Sequence, residues 1–210
     1  MLKHLWFWVI LTLVAIFIVP VFVTSTTYQA RIYGEVAMLE HTLGRDAAAQ
    51  IMGMTDSVYS SAFEESGFRA WVMEHYYVDD RTVAQGEVEA GVPMGIAAKL
   101  SQNYAVSLFI NLYELTFRLT QMFLWGAYSL PFILAAVLDG LMQRKVKFVS
   151  FAYSSPTVFN ASWHLIIAMI FCGFFYFNTP FPVPPITFPV FIGVTAFVLR
   201  SLVGNLQRSA

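Results

Sequence analysis

The chain has 210 residues, 58% of them apolar and only 12% charged, with a net charge of −1 and a mean hydropathy of +0.63. Soluble globular domains carry about 25% charged residues, so this composition excludes an ordinary soluble enzyme and points to the membrane. The single cysteine, Cys172, excludes a dithiol redox cycle and an internal disulfide.

A helix needs roughly 20 consecutive apolar residues to cross a hydrocarbon core of about 30 Å. Residues 5–23 supply the first such run, with no charge in it. It is longer than the roughly 7 to 15 residues of a signal-peptide core and lacks a convincing small-residue cleavage site, so it reads as a retained span. Residues 1–23 are therefore expected to form the first transmembrane helix.

Residues 24–118 hold twelve of the thirteen acidic residues against six bases. The first part, residues 24–103, reads as a helical extracytoplasmic insert. Tyr28, Ile32, Val36, Leu39 and Leu43 recur at helical spacing until Gly44 supplies a stop; Ile51, Met54, Val58 and Ala62 repeat the pattern until Ser66 and Gly67. Phe68, Trp71, Val72 and Tyr76 mark a short third helix, and the polar stretch from Asp79 to Gly91 reads as an exposed loop. A helical domain of about 80 residues buries only around 60 to 65% of its unfolded surface. It is expected to need completion by the membrane, by copies of itself or by a partner.

From Ile96, a stripe of Leu100, Tyr104 and Leu108 leads into residues 119–138, which are apolar on every face. Residues 104–138 thus predict a long helix that enters the second span, with a kink near Pro131. Just before the apolar run, Asn111, Glu114 and Arg118 share one helical face. Glu114 precedes Arg118 by four residues, the favourable order for a helical ion pair, and the pair reads as an interfacial anchor.

Residues 139–157 carry Arg144, Lys145 and Lys147, followed by Phe148, Phe151 and Tyr153. They read as a cytoplasmic basic-aromatic loop whose six side chains are candidate partner contacts. Residues 158–210 form a transmembrane helical hairpin, with spans at 158–178 and 186–203 around a Pro-rich turn. The bases Lys3, Arg144, Lys145, Lys147, Arg200 and Arg208 all fall on one side of a four-span topology. By the excess of Lys and Arg in cytoplasmic loops, that side is cytoplasmic, both termini lie there, and residues 24–118 face the periplasm. The expected fold is all-α and polytopic.

No HExxH, CxxC, GxSxG, P-loop or dinucleotide fingerprint occurs in the sequence. Glu74, His75, Asp79 and Asp80 make the best available ligand group, at a spacing that suits a solvated helix end better than a metal. Neither an enzyme nor a cofactor is expected. Three bases are too few for nucleic-acid binding, whereas contact with membrane lipids is compatible with them. A small oligomeric channel or transporter, its pathway lined by Asn111, Glu114 and Arg118, is the alternative to a scaffold.

The stretch LDGLMQRKVKFVSFAYSSPTVF, the turn TPFPVPP and the ending LRSLVGNLQR resemble the integrating conjugative element membrane protein family, called TraJ-like in some plasmids, and the resemblance covers about residues 130–208. The resemblance implies an inner-membrane subunit of a conjugative type IV secretion apparatus. It further implies a position beside the coupling ATPase and other membrane proteins of that apparatus, with homo-oligomers an open option.

Overall fold

The computed structural model describes residues 2–77, 95–177, 179 and 181–206, and among these every regular element is helical. The helices are α1 (Leu2–Phe22), α2 (Ser25–Leu43), α3 (Arg45–Tyr59), α4 (Phe68–Tyr76), α5 (Gly95–Val149), α6 (Pro156–Phe177) and α7 (Thr187–Gly204). A single π-helical turn, Ser60–Glu64, prolongs α3. Among the described residues, three helices are long and apolar enough to cross a membrane: α5 within Leu100–Val149, α6 within Pro156–Gly173, and α7. The number is four if Val9–Phe22 and Ser25–Leu43, bent by 115° at their junction, count as one span. Such helices are consistent with a membrane protein.

The chain divides into two compact units, Met1–Thr120 with Asn178–Val183, and Gln121–Phe177 with Pro184–Ala210. In the first unit the early part of α5 is a central post. It buries Ala105, Leu108, Phe109, Leu115 and Phe117, and the polar Ser107, Asn111, Glu114, Thr116 and Arg118 besides. From α1, the carbonyls of Ile16 and Phe17 accept hydrogen bonds from Asn111 Nδ2 (3.1 Å) and Tyr104 Oη (3.3 Å). From α3, Asp56 accepts from Tyr113 Oη at 2.6 Å, and Tyr59 Oη donates to the Phe109 carbonyl at 3.4 Å. Burial raises the pKa of the Tyr59 hydroxyl, outweighing the opposing charge of Arg69. Since 56 pairs with 113 and 59 with 109, α3 runs antiparallel to the post. Tilted and edge-on ring contacts among Tyr59, Phe63, Phe68 and Phe109 carry the packing on to α4, and Ser101 Oγ donates to the Tyr76 carbonyl.

Within the first unit the insert is grouped with α1, with α5 as far as Thr120, and with Thr179 and residues 181–183. Its turns fall where expected: Gly44 and Gly67 hold φ of 88° and 75°, a region that side chains disfavour. The buried faces differ from the apolar stripes. Helix α2 buries Tyr28, Arg31, Glu35 and Leu39, leaving Ile32 and Val36 half-buried. Helix α3 buries Ala48, Ile51, Thr55 and Tyr59, leaving Met54 and Val58 exposed. Each face has turned so that a polar partner on α5 is met.

In the second unit, α5 continues unbroken through Pro131 to Val149. Most of the stretch expected as a loop over 139–157 is thus helix, and only residues 150–155 connect it to α6. Leu141, Met142, Gln143, Arg144 and Lys145 are all good helix formers, and no breaker follows them before Ser150. Gly140 does not end the helix; it lets α7 approach. A Cβ built there would lie 2.8 Å from the Arg200 carbonyl oxygen and 3.0 Å from Val203 Cβ.

Candidate functional site

Two features carry chemistry, one within each unit. The first is a buried set of four charges. Arg31 and Glu35 stand one turn apart on α2, and Glu114 and Arg118 stand one turn apart on α5. Arg31 Nη2 lies 3.1 Å from Glu114 Oε2, and Arg118 Nη2 lies 2.6 Å from both Glu35 Oε1 and Glu114 Oε1. Since 31 pairs with 114 and 35 with 118, α2 and the post run in the same sense here. The set is formally neutral, and the Arg118 side chain is 0% exposed.

The expected Glu114–Arg118 pair is present, but it faces α2 and is buried in protein. Sequence reasoning missed Arg31 and Glu35. Their i, i+4 spacing on α2 is the mirror of the pair on α5 and was the one available signal. Asn111, on the same face of α5, bonds instead to α1.

The four charges grip the backbone of the Pro-rich turn. Arg118 donates to the carbonyls of Thr179 (Nη1, 3.3 Å) and Phe181 (Nη2, 3.4 Å), and Arg31 Nη1 also donates to Thr179 at 3.2 Å. The Val183 N–H donates to Glu35 Oε1 at 3.1 Å. Thr179, Phe181 and Val183 are thus read through main-chain atoms, and Val183 supplies an N–H that a proline at that position would lack. Gly34 packs against Pro182, where a Cβ would come 3.4 Å from Pro182 Cβ.

Glu114 is held by charge, since neither of its oxygens meets hydrogen-bond geometry despite the short contacts. Tyr28 Oη and Ser107 Oγ are buried without a hydrogen-bond partner among the described residues. Removing one member of such a buried set strands its partners and costs about 3–5 kcal/mol. The arrangement is a structural clasp with its charges closed on one another.

The second feature is the end of α5. Lys147 Nζ donates to the Gly204 carbonyl (3.2 Å) and to Asn205 Oδ1 (2.8 Å), so this base caps the last turn of α7. Arg200 pairs with Asp139. Arg144 and Lys145 form no ion pair among the described residues. Beyond them Phe148, Phe151 and Tyr153 are 64, 97 and 77% exposed. The Ala152 N–H bonds to the Lys147 carbonyl at 2.9 Å, the six-to-one closure of a Schellman cap. That closure places Phe151 at the left-handed position, φ 52°, where glycine is the usual residue. A groove of about 790 Å³ runs beside this ledge, lined by Leu138, Met142, Arg144 and Phe148 among others.

The six predicted contact residues therefore come together at one helix end, with Lys147 committed to α7 and the others open to varying degrees. His41, His75 and His164 are exposed and separate; Asp79 and Asp80 lie outside the described residues. No group of three metal-ligating side chains occurs among the described residues.

A family model for the IncC plasmid conjugative DNA transfer protein DtrJ-like matches residues 27–207. The chain belongs to the DtrJ-like family. The match takes in the insert, the clasp and the ledge, and it gives this DtrJ-like chain a role in conjugative DNA transfer. The resemblance seen over residues 130–208 to conjugative-element membrane proteins is of the same kind and extends through most of the insert. No curated protein and no solved structure matches the chain.

Proposed function

We propose that this DtrJ-like chain is a non-enzymatic inner-membrane scaffold of a conjugative type IV secretion apparatus, docking the coupling ATPase at the end of α5. The observation that carries the reading is the ledge of Phe148, Phe151 and Tyr153, three exposed aromatic rings beside bases that form no ion pair among the described residues. Exposed aromatics with arginine nearby are the residue types that dominate protein interfaces. A left-handed phenylalanine with no packing of its own is a local cost that a binding role explains. The buried charges support the same reading, because they close on the chain itself and leave the ledge as the accessible chemistry.

In this reading the bases of the ledge lie on the cytoplasmic side with both termini, and residues 24–118 are mainly periplasmic. Reporter fusions at Arg69 and Ser150 test this directly, and both reporters on one side would end it. The docking test is copurification of the coupling ATPase with the intact protein. It is expected to fail for the triple variant Phe148→Ala, Phe151→Ala, Tyr153→Ala while membrane insertion persists; unchanged copurification rejects the ledge as the contact.

The rival reading is a channel assembled from several copies, and the buried Glu114 and Arg118 favour it to the extent that ionisable groups in apolar helices mark pathways. Under it, Glu114→Gln should change ion flux in vesicles.

A further inference from the structure

We propose that the groove at the end of α5 binds one anionic phospholipid, with Arg144 and Lys145 on its phosphate and the acyl chains along Leu138, Leu141 and Met142. This rests on α5 crossing a membrane, and does not depend on the docking of an ATPase.

Three observations select an anionic amphiphile. The groove takes in Arg144, Lys145 and Lys147 and no acidic side chain, so its lining carries a net positive formal charge. Arg144 and Lys145 have no ionic partner among the described residues, and the acid nearest to them in sequence, Asp139, is paired with Arg200. Directly below the bases, Leu138, Leu141 and Met142 are all exposed on the last turns of an apolar helix. A soluble anion would match the bases alone and a neutral lipid the leucines alone. The two surfaces are contiguous, as a headgroup and its chains are. Basic residues just beyond a span are the usual ground for anionic lipid recognition, and long basic side chains reach a headgroup while their stems follow apolar surface. Lys147 is excluded from the headgroup role by its two bonds to the end of α7.

The experiment uses the full chain purified in detergent, titrated with phosphatidylglycerol or phosphatidylcholine and examined by native mass spectrometry. Phosphatidylglycerol is expected to be retained one per chain in clear preference. Arg144→Gln with Lys145→Gln should weaken it about thirtyfold, as each base near a headgroup contributes roughly fivefold. The charge-keeping pair Arg144→Lys, Lys145→Arg should retain it, which separates loss of charge from loss of fold. Equal retention of phosphatidylcholine would overturn the proposal, as would displacement of phosphatidylglycerol by millimolar inorganic phosphate. No retention, with the same two bases needed for capture of the coupling ATPase, would make the groove a protein site and likewise overturn it. Tyr153→Ala, at a residue outside the groove lining, should keep the lipid even where it weakens capture of the ATPase, so the two readings fail independently.

Discussion

Replacing Phe151 with glycine should stabilise the protein while impairing its docking. At φ 52° an L side chain costs about 1–2 kcal/mol relative to right-handed backbone. Glycine removes that cost but brings about 0.5–1 kcal/mol of extra unfolded-state entropy. The ring is 97% exposed, so almost no apolar burial is lost with it. The balance is a net gain of about 0.5–1 kcal/mol, or a rise in Tm of roughly 1–4 °C for a chain of this size. The assay is thermal unfolding in one detergent, followed by far-ultraviolet circular dichroism, alongside copurification of the coupling ATPase. Phe151→Ala is the companion variant: it keeps the left-handed cost and removes the ring, so its stability should match the parent within about 0.5 kcal/mol while copurification falls. A drop of more than 1 kcal/mol for the glycine variant would show that the ring holds the end of α5, and the argument from local strain would be wrong.

Arg118→Gln should destabilise the first unit by about 3–5 kcal/mol, since Glu35 and two carbonyls of the Pro-rich turn lose their donor and Glu114 loses a neighbouring positive charge; a chemical-denaturation midpoint within error of the parent would refute the clasp. The double variant Gly34→Cys, Pro182→Cys, made with Cys172→Ser, should form a disulfide under mild oxidation, because the Cβ positions lie at about the bonding separation. Its failure to form, judged by gel mobility before and after reduction, would mean that the turn does not rest on α2. Gly140→Ala should cost about 1–3 kcal/mol, as the added methyl meets the backbone of Arg200; Gly126→Ala, which meets nothing, should be neutral or mildly stabilising in the same melt.

The residues that belong to the clasp show why periodicity alone misled about the buried faces. Ile32 and Val36 make the better apolar stripe on α2, yet Arg31 and Glu35 are buried, because their charges are met by Arg118 and Glu114 on α5. A hydropathy pattern cannot register a charge whose partner lies 83 residues away, nor a carbonyl at a separation of 148. The same limit governs the helix end. The series of helix formers through Lys147 was legible as helix, but its bases and aromatics suggested a loop. What makes Val149 the last residue is the cap formed by Lys147, Phe151 and Ala152.

By itself the sequence determined the apolar runs, long enough to cross a membrane, the sorting of charge and the Glu114–Arg118 spacing. These are local properties: a bilayer selects on the hydropathy of some twenty consecutive residues, and an i, i+4 pair lies within one turn of helix. Tertiary structure alone decided that α5 is the post of the first unit, that a buried charge set from α2 and α5 closes on the Pro-rich turn, and which bases at its far end have no acid beside them among the described residues. Those outcomes depend on helices brought together from distant parts of the chain, where each buried charge must find a partner before it can leave water.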